Sequence, residues 1–207
     1  LQVDTVEVDP SVVRAAEAFF AYRPATGHRV FVQDARAFLR DTDLRYDVIW
    51  VDVLARHLIP FHLTTREFFA ELRAHVGPDG VVAVNLASSS LQGDRLRAEA
   101  IVSTLRTAFP NLVTFAVKGP WDSKTEAVNV LFFVGPGVPI METPTFATRV
   151  QDLLAVRRLP QQVPRLLRER YARPWGHGLV LTDDFAPFDL LGGSWGSNPG
   201  ASAGETE

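Results

Sequence analysis

The sequence predicts an α/β fold with a mostly parallel sheet, flanking helices and an antiparallel hairpin at its C-terminal end. The apolar run V-I-W-V within Tyr46–Asp52 is typical of a strand buried on both faces of a parallel sheet. Residues 3–51 alternate strand, helix, strand, helix and strand, which indicates parallel, right-handed connections. The last two predicted strands, 112–117 and 128–134, have a connection too short for a crossover helix, so we expect them to be antiparallel.

Helix starts are marked by capping residues. Asp9 and Pro10 predict a helix that ends near Tyr22, and Asp34 precedes a short helix over residues 35–40. Thr64 or Thr65 is predicted to start the next helix, and Thr64 with Glu67 has capping-box spacing. The predicted buried face of the first helix consists of its apolar residues, Val12, Val13, Ala16, Phe19 and Phe20. The other predicted elements are strands at 29–33 and 81–86, a G-P-D-G turn at 77–80, and helices at 94–108, 144–157 and 164–172.

Composition narrows the class of protein. With 207 residues, 46% of them hydrophobic, the chain can bury a sizeable core. A net charge of -3 without a basic block argues against nucleic acid as a partner. The absence of cysteine excludes thiol chemistry and fits a reducing compartment, so we expect a cytoplasmic location. We expect a main domain over 1–137, a helical C-terminal extension over 138–191 packed on it, and a disordered tail over 192–207.

Asp52 is the candidate catalytic residue from its position alone. It ends the central strand, and ligands of open α/β sheets bind outside the carboxyl ends of the strands. The connection that follows, residues 53–63, is longer than usual for such a loop, which favours a site there. The alternative is that Asp52 is a polar strand terminus or a loop cap.

Several stretches carry a family resemblance, which covers roughly residues 3–190. In this order and spacing they resemble the spermidine synthase-like family of aminopropyltransferases, on a methyltransferase-type Rossmann fold, and most of all its bacterial members. Some of those carry an N-terminal membrane-transporter-like region, so this chain is expected to be a cytoplasmic protein or the cytoplasmic domain of a membrane protein. The stretches are V-E-V-D-P (6–10), Q-D-A-R-A-F-L (33–39), Y-D-V-I-W-V-D (46–52), L-T-T-R-E-F-F (63–69) and L-T-D-D-F-A-P (181–187).

The resemblance assigns roles to six residues. Glu7 would accept the two ribose hydroxyls of an adenosyl group, with a solvated strand end as the alternative. Asp34 would accept the adenine amino group, with Ala35 beside it facing the base, and the alternative for Asp34 is a helix cap. Asp52 would take the proton of the reacting amine. Asn85 and Trp121 would form walls of the substrate pocket.

The implied reaction transfers an aminopropyl group from decarboxylated S-adenosylmethionine to an amine, putrescine or another polyamine, without a metal. The family also implies a small-molecule amine as partner and allows a homodimer. Two departures keep alternatives open. The second Asp usual in polyamine-making members is Ala55 here, and the family's Gly-rich turn is absent before Val6, so the chain is expected to be N-terminally incomplete. The alternatives are an S-adenosylmethionine-dependent methyltransferase and a non-catalytic module.

Three further polar residues are weighed from the sequence. His57 and His62 share the long connection after Asp52 and are interpreted mainly as polar loop residues, although both could meet a substrate. Asp183, in the C-terminal L-T-D-D stretch, is predicted to tie down its own loop rather than to bind a metal or an amine.

Overall fold

The computed structural model describes residues 1–23, 25–53, 59–88, 95–118, 128–160, 163, 167 and 174–191. The strands are β1 (Val3–Glu7), β2 (His28–Val32), β3 (Tyr46–Val51), β4 (Val76–Ser88), β5 (Leu112–Lys118) and β6 (Val128–Val134). The α-helices are α1 (Pro10–Phe19), α2 (Ala35–Asp41), α3 (Arg66–Ala74), α4 (Arg95–Ala108) and α5 (Pro144–Ala155). Single 3-10 turns lie at Phe61–Leu63, Val138–Glu142 and Phe188–Leu190.

The described strands form two hydrogen-bonded sheets. β1 and β2 pair in parallel, and the second sheet has the order β3-β4-β6-β5. Within it β3 and β4 are parallel, whereas β6 is antiparallel to both β4 and β5. The predicted α/β class and the antiparallel C-terminal hairpin are confirmed. The carboxyl ends of β3 and β4 therefore lie side by side, because parallel strands finish at the same edge.

The prediction that β3 is buried on both faces is wrong for the described structure. Val51 is buried, but Val48 is 62% exposed and Trp50 is 56% exposed. Successive side chains of a strand point to opposite faces, and only the face of Ile49 and Val51 packs on the hydrophobic core. The continuous apolar run of β3 therefore has one face on the core and one face that is exposed.

The helix starts follow their capping residues, with one shift. The Asp9 side chain accepts from the Ser11 amide, and the Thr143 side chain accepts from the Phe146 amide, as the caps predict. Of the two predicted starts of α3, Thr65 is the N-cap, and its side chain accepts from the Phe68 amide. The Thr64–Glu67 capping box is therefore wrong by one residue, and the Thr64 hydroxyl instead donates to the Phe61 carbonyl at 2.7 Å.

Helix α1 has the predicted position but not the predicted burial. None of its residues is buried, and Phe19 and the adjoining Phe20 are 81% and 80% exposed. The periodicity of apolar residues correctly indicated a helix. It overstated the burial, since α1 packs mainly on β1 of the small β1–β2 sheet.

The predicted G-P-D-G turn is also revised, because β4 begins at Val76 and includes these residues. Tyr46 pairs with Val76 and Val48 with Val81, so the extra residues of β4 are absorbed as an irregularity in the ladder. Gly135 closes this end of the sheet with a φ of 125°, where an added Cβ would lie 2.6 Å from the Gly80 carbonyl oxygen. Only glycine fits this close approach.

The core joins α3, α4 and the inner faces of β4 and β6 to the C-terminal segment 174–191. Trp175, Leu181 and Phe188 from that segment belong to the same buried cluster as Phe68 and Phe132. No helix in the described ranges is long and apolar enough to cross a membrane. The predicted helix at 164–172 and the tail at 192–207 fall outside the described residues, apart from position 167.

Candidate active site

Asp52 and Asn85 meet at the carboxyl edge of β3 and β4. Asp52 directly follows β3, and Asn85 lies in β4 one residue beyond Val84, the partner of Val51. The Asn85 Nδ2 donates to Asp52 Oδ1 at 2.8 Å. Asn85 Oδ1 is buried and has no hydrogen-bond partner among the described residues. The exposed Asp52 carboxylate, held by Asn85, is therefore an acceptor suited to a cationic or N–H-bearing ligand.

Asp34 caps α2 and keeps one oxygen available. Its Oδ1 accepts from the amides of Arg36 and Ala37 at 2.9 and 3.0 Å, so the predicted cap is confirmed. Its Oδ2 accepts from His62 Nε2 at 2.9 Å. Partial burial opposes ionisation, but the bonds from His62 and from the two amides outweigh it and lower the pKa of Asp34. The carboxylate is thus ionised at neutral pH and acts only as an acceptor.

Arg36 holds the surroundings of Asp34 together. Its side chain is 7% exposed, and its guanidinium donates to both oxygens of Glu71 and to both oxygens of Asp183. A further bond of 3.2 Å runs from Arg36 Nη1 to the His62 carbonyl oxygen. The two carboxylates raise the pKa of Arg36, so it remains a cation throughout the physiological range.

The network places Asp183 as the sequence predicted. Besides Arg36, its Oδ1 accepts from the Thr65 hydroxyl at 2.7 Å, and this ties the C-terminal segment to the start of α3. The hydrogen bonds from Arg36 are the main cause of the lowered pKa of Asp183. A metal role has no support here, since the described residues contain no group of three His, Asp or Glu side chains arranged to hold an ion.

Ala35 and Glu7 lie in different depressions. Ala35 lines a groove between β1 and β3 together with Val6, Trp50 and Val53. Ten other residues, from the strands, α2, α3 and the 3-10 turn before α3, complete the lining, and all of them except Asp4 are apolar or aromatic. Glu7 lines a separate depression with Val12 and Val13 of α1, and its Oε1 accepts from the Asp9 amide at 2.8 Å. One Glu7 oxygen is therefore committed to the local turn.

The structure thus brings together two pairs of the sequence candidates. Asp52 joins Asn85, and Asp34 stands at the start of α2 beside Ala35. His62 and Arg36, which sequence reasoning did not assign to the site, connect the second pair to the connection after Asp52. The position of Arg36 two residues after Asp34 was the one sequence feature that could have suggested its role. Its partners could not be predicted in this way, because they lie 35 and 147 residues away. Trp121, Ala55 and His57 lie outside the described residues.

These carboxylate and amide acceptors fit an N–H donor or a cation better than an anion. Asp34 Oδ2 can accept a further N–H, as an exocyclic amino group supplies, and a 6-oxo group would be repelled there. Asp52 and Asn85 add acceptors at the neighbouring strand ends. Each of these groups attracts a cation or an N–H donor.

Comparison with known proteins supports the resemblance to the spermidine synthase-like family. Residues 1–120 match the model of the spermine/spermidine synthase domain. Over 201 residues, 91% of this chain, the sequence is 34% identical to a polyamine aminopropyltransferase of Vibrio vulnificus (strain CMCP6) and covers 61% of it. It is also 30% identical over 201 residues, 92% of this chain, to an N-terminal histidine N-methyltransferase of Emericella nidulans, and covers 32% of it. The chain therefore spans less than two thirds of either relative.

A solved structure supports the fold. The crystal structure of human Methyltransferase-like protein 13 in complex with SAH superposes with a TM-score of 0.54 at 21% identity, covering 92% of this chain and 78% of that one. At this identity the likeness concerns the fold alone. The predicted methyltransferase-type α/β fold is confirmed.

Proposed function

Because the chain belongs to the spermine/spermidine synthase domain family, we propose that it transfers an aminopropyl group from decarboxylated S-adenosylmethionine to an amine. The observation that carries the proposal is the Asp52–Asn85 pair, 2.8 Å apart at the carboxyl edge of two parallel strands. Asp52 is exposed there, and one of its oxygens is oriented by Asn85. The second support is Asp34, an ionised acceptor in the position that suits an adenine amino group.

In the proposed reaction the amine nitrogen attacks the methylene carbon next to the sulfonium. A new C–N bond forms, the C–S bond breaks, and its electron pair returns to sulfur, which leaves the neutral thioether of 5′-methylthioadenosine. The nitrogen carries a positive charge and an excess proton after attack, and Asp52 accepts that proton. Holding the amine and the methylene carbon in line contributes much of the acceleration.

The remaining site residues have supporting roles in the proposal. Glu7 binds the ribose hydroxyls through the oxygen that does not accept from Asp9, and Ala35 faces the base. Asn85 and Trp121 wall the amine pocket.

The proposal extends to setting and partners. The absence of cysteine supports a cytoplasmic location, either as a free enzyme or as the cytoplasmic part of a membrane protein. The partners are a small-molecule amine and a second copy of the chain as a homodimer, with no role for nucleic acid. Residues 138–191 serve as an extension packed on the domain formed by residues 1–137.

The first test is calorimetric binding of 5′-methylthioadenosine and S-adenosylmethionine to the protein expressed from its full-length reading frame. Tighter binding of 5′-methylthioadenosine, lost in Asp34→Ala, is the expected result. Release of 5′-methylthioadenosine from decarboxylated S-adenosylmethionine is then followed with a panel of diamines and polyamines. Asp52→Asn should bind the nucleoside normally and lose roughly a hundredfold or more in rate. Full activity in Asp52→Asn would contradict the assignment of the base.

Methyl transfer from S-adenosylmethionine is the second candidate. Its support is the similarity to the Emericella nidulans methyltransferase, together with Ala55 in place of the second Asp. Without that carboxylate, one anchor for the distant ammonium of a diamine is absent. Preferential binding of S-adenosylmethionine, with no turnover of its decarboxylated form, would favour this candidate. Binding of neither compound would leave a non-catalytic module.

A further inference from the structure

We infer that His62 is a positioning residue that sets the preference of this site for a 6-aminopurine over a 6-oxopurine. The inference rests on the proposed function, because it concerns the base that Asp34 would recognise. It assigns a role to a side chain of the long connection after β3 that sequence reasoning interpreted as a polar loop residue. His62 acts through Asp34 and does not itself bind the base.

The first step is the hydrogen-bond count at Asp34. Each carboxylate oxygen accepts about two hydrogen bonds. Oδ1 already has two, from the amides of Arg36 and Ala37. Oδ2 has one, from His62 Nε2 at 2.9 Å, so the described residues leave a single acceptor position on this side chain.

The second step is the direction of that remaining position. Asp34 is fixed at three points, two amides of α2 and the imidazole, so its carboxylate plane cannot turn freely. The Asp34 and His62 side chains are 40% and 37% exposed, which leaves the open position accessible to a ligand. An ionised carboxylate can only accept, so His62 Nε2 carries the proton in this bond. The site therefore presents one oriented acceptor and selects an N–H.

The third step is the support of His62 itself. It lies in the 3-10 turn Phe61–Leu63, where the Leu63 amide donates to the Pro60 carbonyl at 2.9 Å and the Leu63 side chain is buried. The guanidinium of Arg36 donates to the His62 carbonyl at 3.2 Å, and the amide of the same Arg36 donates to Asp34. Arg36 therefore holds both the hydrogen-bond donor, His62, and the acceptor, Asp34, in place. His62 can hold Asp34 because its own backbone is held.

The test compares two nucleosides that differ at one group, 5′-methylthioadenosine and 5′-methylthioinosine, by calorimetry on the full-length protein. His62→Leu removes the donor, and His62→Gln keeps a donor of similar reach. His75→Leu is the matched control, since His75 Nδ1 bonds only the Leu44 carbonyl at the other end of α3. We expect His62→Leu to bind 5′-methylthioadenosine roughly tenfold more weakly. Binding of the inosine compound should change little, and His62→Gln should recover most of the discrimination.

The outcomes separate the two proposals. Discrimination that is unchanged in His62→Leu, or an equal loss for both nucleosides, overturns the inference about His62 and leaves the proposed function intact. Failure of the wild-type protein to bind either nucleoside overturns the proposed function and this inference with it. A readout without ligand is the imidazole ¹⁵N spectrum, in which His62 should show a protonated, hydrogen-bonded Nε2 that changes in Asp34→Asn. A spectrum unaffected by Asp34→Asn would also overturn the inference.

Discussion

The side-chain amide of Asn85 donates to the Asp52 carboxylate at 2.8 Å across the carboxyl ends of two parallel strands. This bond holds one oxygen of Asp52, a residue that is exposed to solvent. Asn85 contributes a buried amide oxygen without a described partner to the same place. The pair is the chemical centre of the proposed site, and two substitutions at Asn85 test it.

Replacing Asn85 should impair the amine step. Asn85→Leu removes the orienting donor, and we expect kcat/KM for the amine to fall roughly tenfold to a hundredfold while nucleoside binding holds. Asn85→Asp places a second carboxylate beside Asp52, and like charges so close share a proton. The acidic limb of the rate profile should then move to higher pH. A profile that coincides with the wild type would contradict a role for Asp52 as the base.

Removing the Arg36 cation should destabilise the protein. Arg36→Met leaves Glu71 with Arg40 and Asp183 with the Thr65 hydroxyl but removes the buried cation that both carboxylates share, and we expect a loss of about 1–3 kcal/mol in the free energy of unfolding. The control is Arg66→Met, because Arg66 is 55% exposed and pairs with its neighbour Glu67, and it should cost less than about 1 kcal/mol. Urea unfolding measures the free energy of unfolding of both variants. Equal losses would contradict the conclusion that the burial of Arg36 makes its ion pairs more stabilising than the exposed pair of Arg66.

Tyr46 should make stability decline at alkaline pH. Burial, and then the hydrogen bond to Asp4, raise the pKa of Tyr46 to about 12 from an ordinary value of 10.0. The folded state therefore holds the phenol proton more tightly than the unfolded state. The resulting stability is complete below pH 10 and is lost as the pH rises toward 12. Urea midpoints across this range should decline less in Tyr46→Phe than in the wild-type protein, and an unchanged slope would contradict the raised pKa of Tyr46.

Gly178 should tolerate no side chain. An added Cβ would lie 2.3 Å from the Glu99 carbonyl carbon, which is rigid helical backbone. We expect Gly178→Ala to lower the free energy of unfolding by about 1–3 kcal/mol, because the C-terminal segment must lift away from α4. Gly77→Ala is the control, since its Cβ would meet the Tyr46 carbonyl oxygen at an ordinary 3.4 Å. Thermal unfolding of both variants decides the point, and a neutral Gly178→Ala would contradict the close packing.

The sequence by itself determined the element order, most helix starts and the antiparallel end of the sheet. Asp9, Asp34 and Thr143 cap helices through bonds to residues two or three positions away, so local spacing suffices to predict them. The position of Asp52 at a strand end was likewise a local inference. The family resemblance of the sequence added the roles of Glu7 and Asp34 in nucleoside binding, and these roles remain proposals.

Only the tertiary structure decided burial and partners. It showed that Trp50 is half exposed and that α1 has no buried residue, because a strand or helix pattern does not reveal which face another element covers. It also joined Arg36 to Asp183 and Asp34 to His62. Those contacts link residues 147 and 28 positions apart. No local rule predicts such pairs, since they form only where the folded backbone brings distant segments within hydrogen-bond distance.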